Sequence, residues 1–144
     1  MPSATRTDPL SGFNFRVEID GIALAAFAEV SGLVSETQVV EYRTGDSLTT
    51  RKLPGPTKYA NIVLKRGITL DLSLWQWRRS VVQGKAERRN GSIVLLDEAR
   101  KDMLRFNFVD GWPCRWEGPT LRAGSNDVAI ETLEIAHEGL ELGG

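Results

Sequence analysis

The sequence is short of the side chains from which most catalytic and metal centres are built: its 144 residues hold one cysteine, Cys114, and one histidine, His137. A lone cysteine permits no intrachain disulfide, so the fold must hold by packing. A Cys/His nucleophilic pair would need these two residues to meet beside an orienting third group, and neither lies in a recognisable nucleophile signature. Glu134, His137 and Glu138 could contribute to a metal site, but one histidine without a cysteine cluster makes a poor zinc set. A surface histidine near a strand end is the plainer reading. Neither a Walker loop nor a G-x-G-x-x-G motif occurs, so the glycines read as turn residues, and Asp97-Glu98 as solvated charge at a strand end. Long apolar runs are missing too. No stretch approaches the roughly 20 residues of a membrane helix, and Met1-Pro2-Ser3-Ala4-Thr5-Arg6 is followed by no apolar signal core. The expectation is a soluble protein without a signal peptide or stable membrane insertion. It is not expected to be an enzyme, and no catalytic, cofactor-binding or metal residue is assigned to it.

What is present supports one core. A hydrophobic content of 41% over this length suits a single domain spanning residues 1–144. The formal net charge of -1 hides an uneven distribution. Residues 1–40 carry five acids and two bases, 41–66 two and six, 67–92 two and five, 93–125 five and five, and 126–144 five acids alone. A near-neutral chain exerts little long-range pull on nucleic acid, whereas basic and acidic surfaces on one chain can pair between copies of it, or within one subunit.

Phe13, Phe15, Val17 and Ile19 alternate with Asn14, Arg16, Glu18 and Asp20, the pattern of a strand with one buried and one wet face. Asp20-Gly21 supplies a tight turn. A second strand is expected over Ile22 to Val30, broken by Ser31-Gly32, and a third over about Glu36 to Arg43. Leu70, Leu74, Trp77 and Val81 then recur at helical spacing, with Thr69 or Asp71 as N-cap and Gly84 as the stop. Trp77 falls on this apolar stripe and Arg78-Arg79 on the polar side, which argues for core packing over nucleic-acid binding by Trp75, Trp77, Arg88 and Arg89. Ile93 to Leu96, then Leu104, Phe106 and Phe108, read as strands. Gly111 to Pro119 resembles another, with Pro113 admitted by a bulge or an edge. In the last strand, Asp127 to His137, Val128 and Ile130 share one phase while Leu133, Ile135 and His137 share the other. A bulge or a strand bending between sheets near Glu131-Thr132 is therefore expected. About eight strands and one helix imply a mainly β fold, an antiparallel barrel or sandwich with the helix against it.

Between two of these strands lies a polar, basic excursion, Thr44 to Lys58, centred on Lys52-Leu53-Pro54-Gly55-Pro56. So long a connection in a compact domain usually has a use. The simplest geometry is a hairpin arm, residues 43–59, projecting from a sheet to touch another molecule. Residues 1–11 read as a flexible or partner-ordered tail.

Phe13-Asn14-Phe15-Arg16-Val17-Glu18-Ile19-Asp20-Gly21, Glu29-Val30-Ser31-Gly32-Leu33, Glu41-Tyr42-Arg43, Lys52-Leu53-Pro54-Gly55, Lys58-Tyr59, Leu64-Lys65-Arg66-Gly67, Leu74-Trp75-Gln76-Trp77, Trp112-Pro113 and Ala129-Ile130-Glu131 through His137-Glu138-Gly139 together resemble the tail tube proteins of contractile phages and phage-tail-like injection systems. No one of these motifs is specific; their order along essentially the whole chain carries the resemblance. It implies a β-barrel-like protomer with one helix, forming homo-hexameric rings that stack into a tube inside a contractile sheath. Sheath, baseplate and tube-end proteins would be its partners, and DNA or protein cargo would fill the lumen. It also implies assembly in the bacterial cytoplasm before incorporation into a virion tail or injection particle. By matched position the arm would reach a neighbouring subunit or ring, placing Arg43, Arg51, Lys52, Leu53, Pro54, Gly55, Lys58 and Tyr59 at an interface. Glu138 and Glu141, in the acidic C-terminal segment, are the candidate partners of the basic arm. Cys114 departs from the family pattern, where a basic residue is more usual. Two rival readings remain: a tube initiator or terminator that forms a single ring, and a small ligand-binding β-barrel or enzyme.

Overall fold

The alternating N-terminal segment forms β1 (Phe15–Ile19), and Gly21, at φ 75, turns the chain so that the Ile22 amide donates to the Ile19 carbonyl at 3.1 Å. The computed structural model describes residues 8–22, 26–46 and 48–143. Of the expected second strand, residues 23–25 lie outside the described residues, 26–28 are not strand, and β2 spans Glu29–Ser31, taking in Ser31. Then follow β3 (Ser35–Tyr42), β4 (Arg51–Tyr59), β5 (Ile62–Gly67), α1 (Ser73–Val82), β6 (Arg89–Leu96), β7 (Asp102–Glu117), β8 (Ile130–Ala136) and β9 (Gly139–Gly143). The main sheet runs β1-β6-β7-β8-β5-β2 with β9 also on β7, and β3 pairs only with β4. Every pairing is antiparallel. The fold is the mainly β architecture expected, with nine strands and one helix among the described residues.

One long strand replaces the two expected between Leu104 and Pro119. β7 has 16 residues; its first half lies between β6 and β9, and its second half pairs with β8. Pro113 is accommodated because the ladder to β8 slips between Pro113 and Arg115, leaving Cys114 as the extra residue. β8 and β9 lie end to end along one side of β7, and the join between them bends. Asp110 takes φ 52 there, and the Glu138 amide donates to the Val109 carbonyl at 3.0 Å. Phe108 fills the inside of the bend. A Cβ at either Gly91 or Gly111 would strike its ring, so both positions need the missing side chain.

The expected change of phase at Glu131-Thr132 is corrected by the structure. β8 alternates without a break, with Glu131, Leu133 and Ile135 all inward and buried, and its register with β5 is uninterrupted from Ile130 to Ile135. An acid occupies an apolar position because Arg66 sits directly opposite, its buried Nε donating to Glu131 Oε1 at 2.6 Å. Arg66 also donates through Nη1 to Asp71 Oδ2 at 3.2 Å and through Nη2 to the Asp71 carbonyl at 3.1 Å. Its guanidinium stacks 5.7 Å from the centre of the Phe27 ring. The strand does pass from one sheet region to the next, but at His137-Glu138. Val128 lies outside β8 and is exposed.

α1 contributes Leu74 and Trp77 to a core shared with Val17, Ile62, Leu64 and Phe108. Trp77 is buried as expected, and its Nε1 donates to the Glu87 carbonyl at 2.8 Å. Leu70 is not on the stripe. It is 99% exposed, because the helix starts at Ser73, where Asp71 Oδ1 accepts the Ser73 amide at 3.1 Å. Gly84 ends the helical stretch at φ 84. Arg79 is exposed, whereas Arg78 is half-buried and donates to the Pro113 carbonyl at 3.1 Å, tying α1 to β7.

Candidate assembly surfaces

The β3–β4 hairpin is the most unusual surface. Every residue of β3 is exposed, and β4 is exposed at all but Gly55 and Tyr59. The register sets Val40 opposite Leu53 and Tyr42 opposite Arg51, so these side chains share one face, while Glu41 opposite Lys52 and Val39 opposite Pro54 occupy the other. Val40, Tyr42 and Leu53 are 42%, 50% and 48% exposed, an apolar face that the described residues leave partly uncovered. Two-stranded ribbons of this kind are marginal in water without packing. Polar links help along the ribbon, such as the Thr37 and Thr57 hydroxyls 2.8 Å apart.

The sequence-derived interface residues fall mostly on this hairpin. Arg51, Lys52, Leu53, Pro54, Gly55, Lys58 and Tyr59 are all in β4, and Arg43 follows directly on β3. Lys58 stands opposite Glu36 and Tyr59 opposite Ser35. The structure gathers these residues but engages the two C-terminal acids elsewhere: Glu138 pairs with Arg88 at 3.1 Å, and Glu141 lies opposite Asn107 in the β7–β9 ladder. The outgoing limb, β3, with Val40 and Tyr42, was missing from the candidate residues. Its alternation of Val39-Val40-Glu41-Tyr42 reads as an ordinary sheet strand; only the pairing shows that, among the described residues, β4 is its one strand partner.

The root of the hairpin meets His137. The ring lies 5.6 Å from that of Tyr59 and 6.1 Å from that of Phe108 between centroids. Nδ1 is 3.0 Å from the Gly139 carbonyl oxygen and Nε2 is 3.0 Å from that of Ala60. Cys114 is likewise held by backbone, its Sγ donating to the Glu134 carbonyl at 3.5 Å. Burial, with the negative charge of Glu134, pushes the Cys114 thiol pKa up, the opposite of what a nucleophile needs. Among the described residues, no group of three or more His, Cys, Asp and Glu side chains is arranged to hold a metal ion. Nor, among those residues, is any helix long and apolar enough to cross a membrane.

A second surface is polar and already paired. On the outer face of β1, β6 and β7, Arg105 Nη1 contacts Glu18 Oε1 at 2.9 Å and Arg16 Nη2 contacts Asp102 Oδ2 at 2.9 Å. Arg16 to Glu18 and Arg105 to Asp102, each at 3.2 Å, close the four-member network. Val94 stands between Arg16 and Arg105 in the ladder and is fully buried beneath them. Hydrogen bonding from Arg105 holds the Glu18 carboxyl below the usual range, and that from Arg16 does the same for Asp102. Among the described residues β1 ends the strand order and β9 pairs with β7 alone, so both are edge strands there.

Comparison with known proteins agrees with these features. The family model described as T4-like virus tail tube protein gp19 matches residues 11–141. The chain is 25% identical to a chain in the extended sheath–tube complex of an extracellular contractile injection system, PVC, covering 94% of this chain and 91% of that one, with a TM-score of 0.86. In the sheath/tube terminator structure of that system the identity is 25%, the coverage 97% and 100%, and the TM-score 0.88. In the six-fold symmetrised baseplate of the anti-feeding prophage the values are 26%, 96% and 98%, and 0.83. No curated protein matches the chain. With the match running from the start of the first strand segment to β9, the chain belongs to the T4-like virus tail tube protein family.

Proposed function

We propose that this tube protein closes into hexameric rings that stack as the inner tube of a contractile injection system or phage tail, with its β3–β4 hairpin covered by another copy of the chain. The exposed hairpin carries this reading: its Val40, Tyr42 and Leu53 face costs little in a subunit that is soon covered but is a liability in a lasting monomer. The edge positions of β1 and β9 among the described residues suit the same end, because ring closure pairs edges that a monomer leaves bare. A sheath would surround this tube, with a baseplate and a tube-end protein at its two ends and DNA or protein cargo in its bore. The particle would be assembled in the bacterial cytoplasm, and the tube subunit has no catalytic role in it.

The terminator match, as good as the tube match, favours one second reading, a tube-end ring. Electron microscopy of purified protein separates the two. Long stacked tubes are expected, whereas isolated rings would mark a tube-end component. Monomers at every concentration would overturn both. Tyr42→Asp should leave a folded subunit that builds no tubes.

A further inference from the structure

We infer that His137 is a proton-operated latch at the root of the β3–β4 hairpin, closed when the imidazole is cationic and loosened when it is neutral. Both ring nitrogens face carbonyl oxygens at 3.0 Å, Gly139 on the β9 side and Ala60 between β4 and β5. A carbonyl only accepts, so satisfying both contacts takes two N–H donors, and only the imidazolium has two. In the neutral ring one nitrogen turns a lone pair toward a carbonyl, and one of the two bonds is lost. Histidine ordinarily changes charge between about pH 5 and 8.

The latch joins the root of the hairpin to the bend between β8 and β9. Ala60 follows directly on β4, and its amide donates to the Val34 carbonyl at 3.3 Å, across the root of the hairpin. Tyr59, the last residue of β4, packs on the same imidazole. The far side of the ring belongs to the bend where β8 passes into β9. The charged and titratable groups nearest along the chain to the ring and its partners are Lys58 and Tyr59 at the end of β4, Asp110 at the bend of β7, Glu134 of β8, and Glu138 beside the ring with its partner Arg88. Two of the acids are engaged, Glu134 by Asn61 Nδ2 at 3.0 Å and Glu138 by Arg88 at 3.1 Å. The direction follows from the bonds. Protonation adds a donor and fixes the hairpin root; deprotonation removes that donor and loosens it. This inference adds regulation to the assembly reading and rests on it only for its consequence, that tube growth varies with pH.

Since His137 is the sequence's single histidine, NMR of its ring nitrogens follows the titration unambiguously. In dispersed subunits, protection of the Ala60 amide and of the hairpin amides, corrected for intrinsic exchange, should fall about tenfold as the ring deprotonates, as expected for loss of one charge-assisted bond. His137→Phe, which keeps an aromatic ring without donors, should remove the pH response; Glu138→Gln should leave it intact. Protection that stays flat through the wild-type ring titration, or a response that survives His137→Phe, overturns the latch. The wild-type measurement is decisive even if His137→Phe fails to fold. Micrographs at pH 5.5 and 8 read the consequence separately: a normal exchange response with no tubes at either pH counts against the assembly reading and leaves the latch standing.

Discussion

At the scale of single residues, the Arg66–Glu131 pair shows how a charge can occupy a core position. Two buried ions are costly to strip of water, and here Asp71 and the Phe27 face supply further partners for the guanidinium. Glu131→Ala should therefore destabilise the domain by about 3–5 kcal/mol, because it strands Arg66. Replacing both members by methionine should cost less than that single change, measured by urea unfolding; an equal or larger loss would show that the pair itself is stabilising. Trp77→Ala should also cost about 3–5 kcal/mol, a large aromatic truncation, and Arg79→Ala should fall within about 0.5 kcal/mol of wild type. Trp77 was legible from spacing alone. Glu131 was not, since a charge on the apolar phase of a strand looks the same in sequence as a slipped register.

Elements were legible where periodicity is local. β1, the Gly21 turn and the body of α1 follow from alternation, turn chemistry and helical spacing. The fusion of β7 was hidden because Gly111 and Pro113 are ordinary strand breakers; a bulge at Cys114 and the ring of Phe108 accommodate them, and both depend on partners far along the chain. β9 was hidden by its short, glycine-bounded sequence. The hairpin arm was expected to be an interface from its composition; its pairing shows a ribbon with one apolar face, which composition alone does not reveal. Deleting Ser47 to Thr50 should leave a soluble domain that melts cooperatively, since the core residues lie elsewhere. Tube formation should fail in the same protein. Normal tubes from that deletion, seen by electron microscopy, would remove the hairpin from the interface.

For the whole molecule, the uneven charge predicts a salt response whose size depends on where the pairs form. Glu138 is occupied by Arg88 within the subunit, and Lys52 and Lys58 stand opposite Glu41 and Glu36. Fewer charges are thus free for contacts between copies than the segment totals suggest. Exposed pairs contribute about 0–1 kcal/mol each, though symmetry repeats them around a ring. Assembly followed by light scattering should weaken as salt rises from about 0.1 M to 1 M, where the screening length drops from about 10 Å to about 3 Å. Reversing Arg51 and Lys52 to Glu should weaken it further at low salt. If neither change has an effect, the charge asymmetry is only a solvated surface.

The single span of β7 also bears on mechanics. A strand of 16 residues carries about 50 Å of chain at some 3.3 Å per residue. Pulled along its length, it would load its ladders to β6, β8 and β9 in shear, so that many hydrogen bonds must yield together. A pull on the β3–β4 ribbon from its tip meets a different resistance, because its rungs open one at a time like a zipper. Under load the subunit body should outlast its arm, and a tube of such subunits would fail first at the joints between copies, with each protomer still folded.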